Sequence, residues 1–158
     1  MLDTNTTAQL KALLERLEGP IELVATLNDS DKSAKIKELV EEIAALSDLV
    51  TARFDGQNKR APSFGVAKAG EEPRVYFAGL PMGHEFTSLI LALLQTSGYA
   101  PKVSDEVLAS IKGLGVQSNF DVFVSLSCHN CPDVVQALNL IAIYNPGTTT
   151  TMIDGAFF

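Results

Sequence analysis

Cysteine and histidine are scarce in this chain, with two of each among 158 residues, and tryptophan is absent. Both cysteines sit in one short motif, so none is spare for a disulfide scaffold; that usage fits a reducing cytosol, and the expected location is cytoplasmic. Positive charge is also short: 12 Lys and Arg against 19 Asp and Glu leave a net charge of −7, which argues against nucleic acid and anionic membrane as partners. The longest strongly apolar run, Leu89 to Leu94, falls far below the ~20 residues a bilayer requires. The first twenty residues carry Asp3, Glu15 and Glu18 and lack the apolar core of a targeting segment. No G-x-G-x-x-G occurs; Gly113-Leu114-Gly115 follows a helical pattern and is too weak to count, so no dinucleotide is expected to bind here.

What is present centres on Phe120 to Asn145, FDVFVSLSCHNCPDVVQALNLIAIYN. Phe120, Val122, Phe123, Val124 and Leu126 form a β-branched and aromatic run of the kind a covered parallel strand requires. A tight turn with Cys128, His129, Asn130 and Cys131 follows. Pro132 then falls in the first turn of a helix, where a missing N–H costs nothing. From Val134 to Ile143 that helix is apolar almost all round, with Asp133, Gln136 and Asn139 as a narrow wet stripe, so it should pack on a sheet.

This placement dictates chemistry. Unpaired N–H groups and the helix dipole favour negative charge at Cys128, and a protonated His129 adds to the effect. A free cysteine titrates near ~8.5, whereas a C-x-x-C thiol at a helix end commonly falls to ~7 or below. Cys131, one turn in and followed by Val134 and Val135, is expected to be the more buried, resolving thiol. Two other readings stand beside redox chemistry: inert structural cysteines, or half of a zinc site. Zinc usually takes a second ligand pair, and the chain offers only His84 beyond the motif.

At this length about 70% of the unfolded surface can be buried, enough for one ordinary domain or two small ones. Thr6 to Leu17 is an amphipathic helix with Leu10, Leu13, Leu14 and Leu17 on one face. Ile21 to Leu27 is a strand. Asp31 is the expected cap of a helix whose apolar positions are Ile36, Leu39, Val40, Ile43 and Leu46, with Lys32, Lys35, Glu38, Glu41 and Glu42 as a solvated face. Strands follow at Leu49–Phe54, Ser63–Ala67 and Arg74–Ala78, and a leucine-rich helix at Gly83–Thr96. Ser97 to Pro101 reads as a linker, Ser104 opens another helix, and Thr148 to Ile153 is the last strand. Phe64, Tyr76 and Phe77 are expected in the core, and Lys59 and Arg60 in solvent, with flanking of the thiol site as their alternative.

A shift of 99 positions lays Ile21–Leu27 on Phe120–Leu126 with matching polarity, Asp55-Gly56 on Asp154-Gly155 and Leu39 on Leu138. The chain is thus a repeat. The expected division is 1–97, without cysteines, and 98–158, with the C-x-x-C motif.

A unit that ends strand–strand–helix, with a proline before the third strand, resembles the thioredoxin fold; Pro62 then corresponds to the proline that is usually cis in that fold. The expected fold class is α/β, two tandem thioredoxin-like folds, the second incomplete after its second strand. Phe158 aligns with Lys59, ahead of any counterpart of Pro62, so the 158 residues are expected to be part of a longer chain, or to have the open edge at Phe120–Val124 covered by a neighbour. At the positions of Cys128 and Cys131 the first unit has Asp29 and Lys32. It is expected to serve as scaffold, docking surface or lid.

Gly83-His84-Glu85-Phe86-Thr87-Ser88-Leu89 and the run Ser125 to Asn139 together resemble the N-terminal domain of the flavoprotein component of bacterial alkyl hydroperoxide reductase. The resemblance implies a disulfide oxidoreductase module in which Cys128 attacks and Cys131 resolves. It implies electrons arriving from a dithiol of a flavin- and NADH-binding portion of the same protein and leaving to a partner peroxiredoxin. FAD and NADH are expected in the full-length protein and no cofactor in this chain. Glu85 opens the last helix of the first unit, where the dipole alone accounts for an acid. If its turn faces Cys128, Glu85 becomes a candidate to shuttle the proton of a buried thiol. A free-standing thioredoxin- or glutaredoxin-like reductase and a metal-binding interaction module are the competing functions.

Overall fold

The structure, a computed structural model, describes residues 2–115 and 117–158. Two helix–strand–helix–strand runs are visible in chain order. The first is α1 (Thr4–Leu14), β1 (Ile21–Thr26), α2 (Asp31–Ala45) and β2 (Val50–Arg53), and it continues through β3 (Ser63–Lys68), β4 (Val75–Ala78), a 3-10 turn (Gly83–Glu85) and α3 (Phe86–Thr96). The second is α4 (Asp105–Lys112), β5 (Ser118–Val124), α5 (Cys131–Tyr144) and β6 (Thr148–Asp154). Caps account for the helix starts. Asp3 and Ser104 accept the N–H three residues on, and Ser30, not Asp31, caps α2 by accepting from Ser33 N. Asp31 is instead the first helical residue, where its charge suits the dipole.

The strands form one six-stranded sheet in the order β2-β1-β3-β4-β6-β5. β1 lies parallel to β2 and antiparallel to β3, β3 is antiparallel to β4, and β4 and β5 are both parallel to β6. The repeat is visible in hydrogen bonds: Gly56 N donates to Ala25 O and Gly155 N to Val124 O, each at 3.0 Å. Pairing slips by one residue within the repeat, since Ile21 faces Val50 while Phe120 faces Thr150. The two thioredoxin-like units are joined edge to edge, β4 on β6, rather than built as separate sheets.

Register carries the core across that joint. Leu23, Val66, Val75 and Thr150 make one row, and Ala25, Phe64, Phe77 and Met152 another; all eight are buried, and apolar residues of α1, α2, α3 and α5 pack in the same cluster. Phe64 and Phe77 stack at 5.3 Å between centroids. The row Val24, Gly65, Tyr76, Thr151 and Asp121 lies on the opposite, more polar face, so Tyr76 is half-buried there and not a core residue.

Three further expectations are corrected. Of the two expectations for β5, the open edge is met and the covered strand is not: β5 is the sheet's edge, with Phe123 61% and Phe120 39% exposed. In α5, Asn139 is buried between Val135 and Ala142 while Val134 is exposed, so the wet side runs through Asp133, Val134 and Ala137. Arg60 and Lys32 are not simple solvated charges. Arg60 pairs with Asp121 at 3.3 Å and lies over the rings of Phe123 and Phe158, at 5.4 and 5.9 Å. Lys32 donates to Phe157 O at 2.8 Å and sits over that ring. Ala61–Pro62 is cis, and it meets the cysteine-free turn, where Asn28 Nδ2 donates to Ala61 O at 3.1 Å.

Candidate redox site

Parallel strands share their C-terminal ends, and β4, β6 and β5 are mutually parallel. The segments that leave β4 and β5 therefore emerge on the same rim of the sheet. One is the Gly83-His84-Glu85 turn; the other is Ser125 to Asn130, which leads into α5. This is how a residue 44 positions from Cys128 in sequence, His84, comes to stand beside the motif.

Cys128 and Cys131 form a disulfide with Cα atoms 5.6 Å apart. Cys131 is the first residue of α5 and Pro132 stands in its first turn. The cap residue Asn130 offers no side-chain bond to that turn, and Cys131 N instead donates to Cys128 Sγ at 3.2 Å. A helix-end N–H aimed at this sulfur is the local device that holds a thiolate once the disulfide is opened. Both cysteines are half-buried, so the expected contrast in burial is weaker than anticipated; Cys131, however, packs against the main core cluster. His129 and Asn130 are exposed.

The turn carrying His84 and Glu85 does face this segment. His84 N donates to Leu126 O at 3.0 Å, and the rings of His84 and His129 meet at 4.5 Å between centroids, tilted by 60°. Gly83 has φ +56°, and a Cβ there would come within 2.9 Å of Leu126 O, so glycine satisfies both the left-handed backbone and the close approach.

Glu85 is fully buried. Ser88 Oγ donates to Glu85 Oε1 at 2.7 Å and accepts from Gln136 Nε2 of α5 at 3.1 Å, which ties the acid to the helix that starts at Cys131. Glu85 Oε2 has no hydrogen-bond partner among the described residues. Burial raises the carboxyl above its ordinary range, while the Ser88 hydrogen bond and the nearby His84 pull it down. The sequence assigns neither Ser88 nor Gln136 a role at the site, although Ser88 stands three residues after Glu85, one helical turn away. Among the described residues no group of three or more His, Cys, Asp or Glu side chains is arranged to hold a metal ion, and no helix is long and apolar enough to cross a membrane.

No family model matches the chain. The F subunit of alkyl hydroperoxide reductase from Escherichia coli (strain K12) is 54% identical over 159 residues, and its counterpart from Pseudomonas putida is 52% identical over 158. Both alignments take in the whole chain, which spans about 30% of the length of these relatives. The crystal structure of the NTD_N/C domain of alkylhydroperoxide reductase AhpF from Enterococcus faecalis superposes with a TM-score of 0.88 at 27% identity, covering 100% of this chain and 82% of that one. A protein disulfide oxidoreductase from Aeropyrum pernix gives a TM-score of 0.81 at 18% identity over 99% of this chain and 77% of its own, a likeness of fold alone. The chain belongs to the AhpF family of alkyl hydroperoxide reductase components, matching the N-terminal domain of two tandem thioredoxin-like units.

Proposed function

We propose that this chain is the thiol–disulfide relay of a peroxide-reducing flavoprotein: it takes two electrons from a dithiol in the flavin portion of the same protein and passes them to an oxidised peroxiredoxin. The observation that supports the reading most is the Cys128–Cys131 disulfide at the start of α5, with the Cys131 N–H on Cys128 Sγ. FAD and NADH belong, in this reading, to the remainder of the flavoprotein; this chain has no cofactor of its own. It works in the bacterial cytoplasm. Residues 1–97 hold the rim against which residues 98–158 present the cysteines.

The transfer runs as two exchanges. In the reduced chain the Cys128 thiolate attacks one sulfur of the partner's disulfide. A mixed disulfide forms, and the partner's other sulfur leaves as a thiolate. The Cys131 thiol then gives its proton to Glu85 and attacks Cys128 Sγ, which reforms the intramolecular disulfide and releases the partner's second thiolate. Two electrons leave this chain and two protons end on the partner: the Cys131 proton by way of Glu85, and one from water, to which Cys128 had released its own on becoming a thiolate. A buried carboxyl held above its ordinary range is suited to take that proton and give it back. His129, at the exposed lip, adds positive charge beside Cys128 when protonated.

The test is direct mixing. Pre-reduced protein, combined with an oxidised peroxiredoxin, should lose two thiols per chain as the peroxiredoxin gains two. A protein that reduces small generic disulfides equally fast and shows no preference for the peroxiredoxin would instead be a free-standing reductase.

A further inference from the structure

The cysteine-free unit cannot exchange disulfides, yet it places one titratable ring against the motif. We propose that His84 is a positioning residue for the redox site: its ring contact with His129 fixes that imidazole beside Cys128 and so sets the reactivity of the attacking thiol. The inference deepens the proposed function and rests on Cys128 being the attacking residue.

Three contacts carry it. The rings of His84 and His129 lie 4.5 Å apart between centroids at 60°, a tilted contact that holds both in orientation. The backbone beneath is pinned twice, by the 3.0 Å bond from His84 N to Leu126 O and by the approach that only Gly83 permits. Leu126 lies two residues before Cys128, so the clamp grips the segment that delivers the thiol. Both histidines are exposed, and an exposed imidazole at a turn otherwise samples several rotamers, most of which point its charge away from the sulfur. The cysteine-free unit thereby contributes to the chemistry without touching the sulfur.

Other titratable groups border the pair. Glu85 follows His84 on the same turn, with its carboxyl buried and bonded by Ser88. Cys128, Cys131 and Asp133 flank His129, and Asp154, at the end of β6, shares a shallow cavity with Ser125, Leu126 and Ser127. Removing His84 also removes a charge that draws the Glu85 carboxyl down, so the ring contact is isolated by coupling to His129 and not by the His84 change alone.

A double-mutant cycle tests the proposal. In the reduced full chain carrying Cys131→Ser, the rate of Cys128 alkylation by iodoacetamide is followed from pH 5 to 9 for the parent, His84→Ala, His129→Ala, the double variant and His84→Phe. His84→Ala and His129→Ala should each slow alkylation near neutral pH by about three- to tenfold, with the profile moved to higher pH. The double variant should be no slower than His129→Ala, because His84 acts through that ring. His84→Phe keeps a ring in place and should restore the rate to within about twofold of the parent. Additive losses, an unmoved profile in His84→Ala even with a lowered melting temperature, or a His84→Phe variant as slow as His84→Ala would each overturn it. Mapping which cysteine alkylates first in the otherwise unaltered protein checks the attacking thiol separately, so failure of that assignment is not confused with failure of the histidine contact.

Discussion

Glu85 shows how much a single side chain's surroundings decide. It has no exposed surface, one oxygen bonded by Ser88 and the other unpartnered among the described residues, so its ionised form is poorly compensated. Its carboxyl is raised in the folded protein, which therefore holds this proton more tightly than the unfolded chain does. The stability that follows is present below the ordinary carboxyl range and is lost as pH rises from there through the raised folded value. Glu85→Gln removes that loss, so the melting temperature of the variant relative to the parent should climb as pH rises above the ordinary carboxyl range. A difference that stays constant with pH would contradict the assignment. In the same variant the resolving step should slow by about 10²-fold while Cys128 alkylation is unchanged, a split that stopped-flow exchange and alkylation rates measure separately. The sequence offered Glu85 as a candidate only on condition that its turn faced the motif. That condition depends on how two units dock, which no local pattern encodes.

Among the elements, the helices were legible because their caps are local chemistry. Ser104 opens α4 and Pro132 marks the start of α5 as the pattern predicts. The error at Asp31 is a single position, and it arises because serine and aspartate are both good caps and adjacent here. Two misreadings are of another kind. The Phe120–Val124 run has the composition of a buried strand, but burial is conferred by neighbours, and β5 has β6 on one side only, as the repeat, with its missing strand partner, implies. In α5 the polar residues were assigned to one wet stripe, yet Val135, Asn139 and Ala142 follow helical spacing and share the buried face. Period should have outweighed polarity there. The 3-10 turn before α3 was invisible as such, although Gly83 was its signal. Gly83→Ala must force a side chain into a left-handed backbone and against Leu126 O, at a cost of about 1–3 kcal/mol. Thermal melts should show the loss. A melt equal to the parent's would mean that the turn can leave Leu126 freely and that its docking does not fix the site.

At the scale of the whole molecule, one sheet runs through both units. The β4–β6 pairing, from Val75 with Thr150 to Ala78 with Ile153, joins them within the sheet, and the Arg60 contact with Asp121 and Phe123 joins them across its polar face. The repeat itself was legible from a count along the sequence; the edge-to-edge joint was not, since either order of strands satisfies the same hydrophobic pattern. Such a joint predicts a single cooperative unfolding transition, with far-ultraviolet dichroism and the tyrosine signals of Tyr76 and Tyr144 changing together. Two separated transitions would contradict it. Arg60→Ala should lower that one transition by about 2–4 °C, the equivalent of about 1 kcal/mol at this chain length.

In the proposed relay the assembled rim gives the two sulfurs different tasks. The decisive measurement is trapping. Cys131→Ser protein, reduced and mixed with oxidised peroxiredoxin, should accumulate a covalent one-to-one adduct through Cys128, visible on a non-reducing gel and dissolved by dithiothreitol. Cys128→Ser protein treated in the same way should give none. Accumulation with Cys128→Ser and none with Cys131→Ser would reverse the roles of the two cysteines and contradict the mechanism.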